Sequence, residues 1–164
     1  MIFVSVGTHE TPFDRLLRAV SELDLDEDLV VQHGLSPVRC VGATEFDFLP
    51  FDRVLEYVRG ARAIVTHAGV GSVMLALAND KRPIVMARLH RFGEAVDDHQ
   101  AELAARLEAA GLVSVFTDSS DLAAMLARDA RLDALDSGEP WLGTSLGTYL
   151  TAQLGEPLTA RDAH

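Results

Sequence analysis

The chain has 164 residues, 48% hydrophobic and 24% charged, proportions that suit one globular domain and exclude a disordered one. Twenty-five acids against fourteen bases leave a net charge of −11, which opposes nucleic acid or an anionic bilayer as a direct partner. The single cysteine, Cys40, excludes an intramolecular disulfide and leaves no basis for a cysteine-built zinc site.

Short β-branched runs alternate with amphipathic stretches of helical length, the pattern of a parallel sheet with crossover helices. Ile2 to Val6 reads as a buried strand closed by Gly7; no basic segment precedes it, so no secretory leader is expected. Pro12 suits the first turn of a helix, with Phe13, Leu16, Leu17, Val20 and Leu23 following at helical spacing. Leu29 to Gln32 is a second strand, Val38 to Val41 a third, and Glu45 to Leu49 a short fourth. Phe51, Val54, Leu55 and Val58 mark a helix that stops near Gly60. Ala63 to Thr66 is the next strand, and the turn His67 to Ser72 opens a helix through Ala78. This least charged stretch, 63–78, is too short to span a bilayer, so no membrane insertion is expected. Pro83 to Met86 is a strand, and between Lys81 and Gly93 lie four cations (Lys81, Arg82, Arg88, Arg91), His90 and no acid. Asp97 to Ala110 is a helix ended by Gly111, and Val113 to Phe116 is the last strand. Asp121–Leu126 and Ser145–Leu154 read as helices, with a turn at Gly138-Glu139-Pro140. There is no internal repeat, low-complexity tract or linker. Residues 1–164 are therefore expected to form a single doubly wound α/β domain.

Such sheets bind ligands beyond the carboxyl ends of their strands. Three loops there carry chemistry: Gly7-Thr8-His9-Glu10, His67-Ala68-Gly69-Val70-Gly71-Ser72, and Leu89 through Gln100. In the second, two glycines let the backbone approach a ligand, and a helix start, a hydroxyl and an imidazole converge, which suits a phosphate. Met74 stands where a dinucleotide fingerprint has its third glycine, and no Walker lysine is present, so a plain βα turn remains the alternative. In the third loop, Asp97 and Asp98 can cap the helix or meet sugar hydroxyls, and the Gln100 amide, both donor and acceptor, suits a vicinal diol. In the first, Thr8 can bond its own turn, Glu10 can cap the helix and His9 can be solvated. The Asp24-Leu25-Asp26 run lies at the opposite edge of the sheet and reads as an acidic turn. Gly71-Ser72-Val73 lacks the second glycine of a nucleophile elbow. No ligand spacing joins His67 and His99 to Asp97 or Asp98, so no metal site and no cofactor are expected.

The segments Val4–Glu10, Pro12–Leu16, Thr66–Ser72, Lys81–Val85 and Phe92–Gln100, in this order and spacing, resemble the small glycosyltransferase family 28 C-terminal domain proteins over roughly residues 1–115. The nearest likenesses are transferase subunits of bacterial exopolysaccharide synthesis and the small catalytic subunit of the dolichol-pathway UDP-GlcNAc transferase. The resemblance implies a Rossmann-like domain equivalent to the donor-binding half of a two-domain GT-B transferase. It implies that Gly7, Thr8, His67, Gly69, Gly71 and Ser72 surround the donor diphosphate and that Asp98, His99 and Gln100 meet the donor sugar. His9 and Glu10 are the only candidate catalytic groups near the cleft. The donor class is a nucleoside diphosphate sugar, UDP by analogy, and the acceptor a lipid-linked saccharide or growing polysaccharide. One position departs from the pattern: relatives commonly place a ribose-binding glutamate three residues after the loop serine, where this chain has Leu75. A non-catalytic nucleotide-sugar-binding module is therefore the competing expectation. Because one domain supplies only the donor side, a membrane-anchored acceptor-domain subunit is expected as partner. Through it the chain would sit in the cytoplasm at the inner face of the membrane.

Overall fold

Strand β1 (Ile2–Ser5) is apolar without a break up to Ser5 because it is buried on both faces. In the computed structural model, which describes residues 1–127, Ile2 and Val4 join one core with Leu16, Leu17 and Val20 of α1 (Asp14–Ser21) and Leu122 and Leu126 of α5 (Ser119–Ala127). Phe3 joins a second core with Val58 of α2 (Phe51–Gly60) and Ala76 of α3 (Val70–Leu77). The same alternation splits Val31 from Val30 in β2 (Leu29–Gln32), and Ala63 and Val65 from Ile64 in β4 (Ala63–His67). Each fully buried Leu or Phe side chain contributes about 1.5–3 kcal/mol over an exposed one.

With β3 (Thr44–Phe46), β5 (Ile84–Met86) and β6 (Ser114–Val115), the strands form one parallel sheet in the order β3-β2-β1-β4-β5-β6. This is the doubly wound, Rossmann-like arrangement that the alternating pattern implied. The strand order reverses between β1 and β4, so the chains leaving their carboxyl ends go to helices on opposite faces and part to open a crevice. A 3₁₀ turn (His90–Phe92) and α4 (His99–Ala109) lie between β5 and β6, and Gly111 at φ +73° closes α4.

The expected strand at Val38–Val41 is not a strand. The Val38 N–H donates to Ser36 Oγ (3.3 Å) and the Cys40 N–H to Glu45 Oε1 (2.7 Å), so side chains take the donors a ladder would need. Val41 is fully exposed on a turn continued by Gly42 at φ +81°. Val38 and Cys40 still pack on the α1 side of the core, and β3 begins at Thr44. Helix α1 begins at Asp14, after Pro12, because the carbonyls of Thr11 and Pro12 accept from Arg88. The expected helix at Ser145–Leu154 and turn at Gly138-Glu139-Pro140 lie outside the described residues.

Candidate functional site

At the end of β4 the imidazole of His67 is held between two glycines. A Cβ on Gly7 would lie 2.9 Å from His67 Nε2, and one on Gly69 would lie 2.7 Å from His67 Cδ2, so neither position can carry a side chain with the ring in place. Gly7 is further fixed at φ +77°, its N–H donating to Ser5 Oγ (3.2 Å) and its carbonyl accepting from Gln32 Nε2 (3.2 Å). Gln32, buried at the end of β2, also accepts the Leu49 N–H through Oε1 (3.2 Å), tying the β1 loop to the chain after β3. Sequence reasoning passed over Gln32. A glutamine ending an otherwise apolar strand was the available signal.

The protonation pattern of His67 follows from its partners. The Thr66 hydroxyl donates to the Ser5 carbonyl (2.8 Å), so its oxygen can accept from His67 Nδ1 at 3.3 Å, which puts the proton on Nδ1 and leaves Nε2 bare toward the glycines. Burial first, then the charge of Arg88 and the neighbouring His9 ring, push the imidazole down to about 4, so it is neutral near pH 7. Immediately beyond, α3 starts with an extended Gly69 at its N-cap, no side-chain cap and no acid in its first turn. Its first helical bond runs from Val73 N–H to the Gly69 carbonyl (3.1 Å), which leaves the N–H groups of Val70, Gly71 and Ser72 without an intrahelical acceptor.

Thr8, His9, Glu10, Thr11 and His67 line an open cavity of about 560 Å³. His9 Nδ1 accepts the Thr11 N–H (3.0 Å), so the neutral ring presents Nε2–H as a donor. Glu10 is exposed and has no hydrogen bond or ion pair among the described residues.

The β5 loop is built differently. Arg88 is only 1% exposed; its Nη1 donates to the carbonyls of Thr11 (2.9 Å), Pro12 (3.2 Å) and Glu94 (3.4 Å), and its Nη2 to that of Val6 (3.1 Å). The guanidinium also lies 4.5 Å from the centroid of the Phe13 ring. Beside it Glu94 binds Arg15 with both oxygens (3.1 and 2.8 Å) and accepts the Leu89 N–H (3.1 Å). Of the residues expected to meet the sugar, Asp98 Oδ1 accepts the His90 N–H (2.8 Å) and Gln100 Oε1 accepts the Arg88 N–H (3.2 Å). The exposed His99 donates its N–H to Asp97 Oδ1 (3.1 Å). Of the residues expected to bind the donor, only Thr8 and His67 line the cavity with His9 and Glu10; Gly7 and Gly69 flank the His67 ring, and Gly71, Ser72, Asp98, His99 and Gln100 are not part of its lining.

A doubly wound α/β domain with helix-end donors at its switch point is an arrangement that can bind an anion there. The family can be named: the glycosyltransferase family 28 C-terminal domain matches residues 1–131, and the chain belongs to this family. Among solved structures it is similar to the glycotransferase of kitacinnamycin, at 19% identity and a TM-score of 0.57, over 94% of this chain and 38% of that one. It is also similar to the glycosyltransferase SnogD from Streptomyces nogalater, at 17% identity and a TM-score of 0.56, over 95% of this chain and 40% of that one. At these identities the likeness is one of fold, and the chain spans well under half the length of either protein. No curated protein matches the sequence.

Proposed function

We propose that this chain is the donor-binding part of a glycosyltransferase, taking a nucleoside diphosphate sugar, with UDP as the preferred nucleotide. The observation that carries the reading is the start of α3, which has no side-chain cap and whose N-cap Gly69 lies against the His67 ring beside Gly7. Backbone donors already fixed in place stabilise a leaving diphosphate without reorganising at the moment of reaction. In this reading Gly7, Thr8, His67, Gly69, Gly71 and Ser72 hold the diphosphate. Asp98, His99 and Gln100 face the sugar with the atoms their loop bonds leave over: the second Asp98 oxygen, the His99 ring and the Gln100 amide nitrogen. His9, presenting an N–H, suits an anion better than a proton to be removed, so Glu10 is the better base on this chain.

The acceptor would be a lipid-linked saccharide or growing polysaccharide held by a second, membrane-anchored subunit, with residues 1–164 acting as one domain in the cytoplasm at the inner membrane face. Two features support a partner. The described residues contain no helix long and apolar enough to cross a membrane, and Phe48, Phe51 and Val70 are 45%, 68% and 62% exposed on segments that follow β3 and β4. A non-catalytic nucleotide-sugar-binding module is the second reading. It is favoured by Leu75, which packs on the α2–α3 core and leaves α3 without a carboxylate for the ribose.

Calorimetric titration tests both. His67→Ala should weaken UDP binding by about 1–3 kcal/mol in a folded protein, the loss of one hydrogen bond to a charged group. Unchanged affinity rejects the site. Tighter binding of UDP-sugars than of UDP favours the transferase, and equal binding favours the module.

A further inference from the structure

Arg88 is the bulkiest fully buried side chain among the described residues, and it forms no ion pair there. The nearby carboxylate of Glu94 is committed at both oxygens to Arg15, and the Arg88 Nε–H is buried without an acceptor. Glu94 still stabilises the Arg88 charge, yet a buried cation without a direct ion pair is costly, and apolar packing could hold two loops together without one. Its position suggests a use for the charge. The Val6 carbonyl that Arg88 binds belongs to the peptide preceding Gly7, and Gly7 lies against the His67 ring. A permanent cation and a titratable ring thus stand on either side of the glycine loop, with His9 on the cavity wall and Glu10 as the acid among the lining residues.

We propose that Arg88 is a positioning residue for the anion site. Its buried cation loads the glycine loop from behind and couples the arrival of a diphosphate to the uptake of one proton by His67. The inference rests on the donor-site reading above. In the empty crevice, burial first, then Arg88 from the end of β5 and His9 from the β1 loop, oppose a charge on His67, Glu10 is exposed to solvent, and Glu94 is bound by Arg15 and also faces Arg88. A bound diphosphate brings two negative charges and reverses that field. The bare Nε2 then takes a proton from solvent and becomes a donor, while Nδ1 keeps its bond to Thr66. No covalent bond to the ligand forms or breaks.

The probe is UDP-glucose, whose diphosphate diester does not titrate between pH 5 and 8. Calorimetry in buffers of different protonation enthalpy should show up to one proton taken up per ligand bound. Affinity should fall by up to tenfold per pH unit across the range where the complex holds a proton that the free ring lacks. His67→Gln, which keeps a donor and cannot titrate, should bind with no proton uptake and a flat profile. NMR titration of the ligand-free protein should give a low His67 midpoint that rises in Arg88→Met. If that variant does not fold, Arg88→Lys keeps the charge and should retain both the low midpoint and the proton uptake. Wild-type binding without proton uptake, an unmoved midpoint in folded Arg88→Met, or a normal midpoint and no uptake in Arg88→Lys overturns the coupling and leaves the donor site standing. No UDP-glucose binding at any pH overturns the donor reading and the coupling with it.

Discussion

Two loops leave the carboxyl edge of the sheet from neighbouring strands and treat their backbone donors in opposite ways. After β5, the N–H groups of Arg88, Leu89 and His90 are all taken by side chains of the same segment: Gln100, Glu94 and Asp98. After β4, the N–H groups at the start of α3 receive no side-chain acceptor. The first loop is a finished wall and the second is a set of donors waiting for an acceptor. Exposed donors at a helix start are met by water or by a ligand, and in the donor-site reading proposed above those of α3 meet the diphosphate.

Substitutions in the two loops should therefore fail differently. Glu94→Ala removes the acceptor shared by Arg15 and Leu89 and should cost about 3–5 kcal/mol in urea unfolding, as expected when three hydrogen bonds to one part-buried carboxylate are lost. Should Glu94→Ala unfold at the wild-type urea midpoint, the β5 loop is not the fixed wall described. Gly7→Ala drives a Cβ into the His67 ring at a positive φ and should cost about 2–4 kcal/mol while abolishing UDP binding. Wild-type stability and affinity in that variant would mean that the ring is not held as seen. Gly71→Ala gives the smallest and most informative effect. Nothing lies within 4 Å of the added Cβ, so the variant should gain about 0.5–1 kcal/mol as a helical glycine becomes alanine, yet bind UDP more weakly. A gain in stability with unchanged affinity would place the ligand away from the start of α3.

Much of this was legible in the sequence, and unequally. The strands of the central sheet stood out because a parallel strand covered on both faces is apolar except at its carboxyl end, where Ser5, Gln32 and Thr66 lie. The glycines around His67 stood out because close backbone approach admits little else. Arg88 was counted with the cations of a basic loop, since composition records charge and not burial. Strand parity was the signal available: Ile84 and Met86 point into the core under α1, and two residues on Arg88 continues that face, over Phe13. The second role of Asp98 and Gln100, as acceptors within their own loop, could not be read, because it depends on a fold-back from His90 to α4 that no local pattern encodes. Val38–Val41 misled because it packs Val38 and Cys40 on the core and exposes Arg39 and Val41, the alternation of a short strand without its ladder.

The central claim is that the unpartnered amides opening α3 receive the diphosphate, and the most direct measurement is a two-dimensional amide NMR titration with UDP. The account predicts saturable downfield shifts that are largest at Val70, Gly71 and Ser72, with Gly7 and Thr8 next and the Arg88–His90 amides nearly still. Largest shifts at Arg88, Leu89 and His90, with Val70 to Ser72 unmoved at saturation, would contradict it.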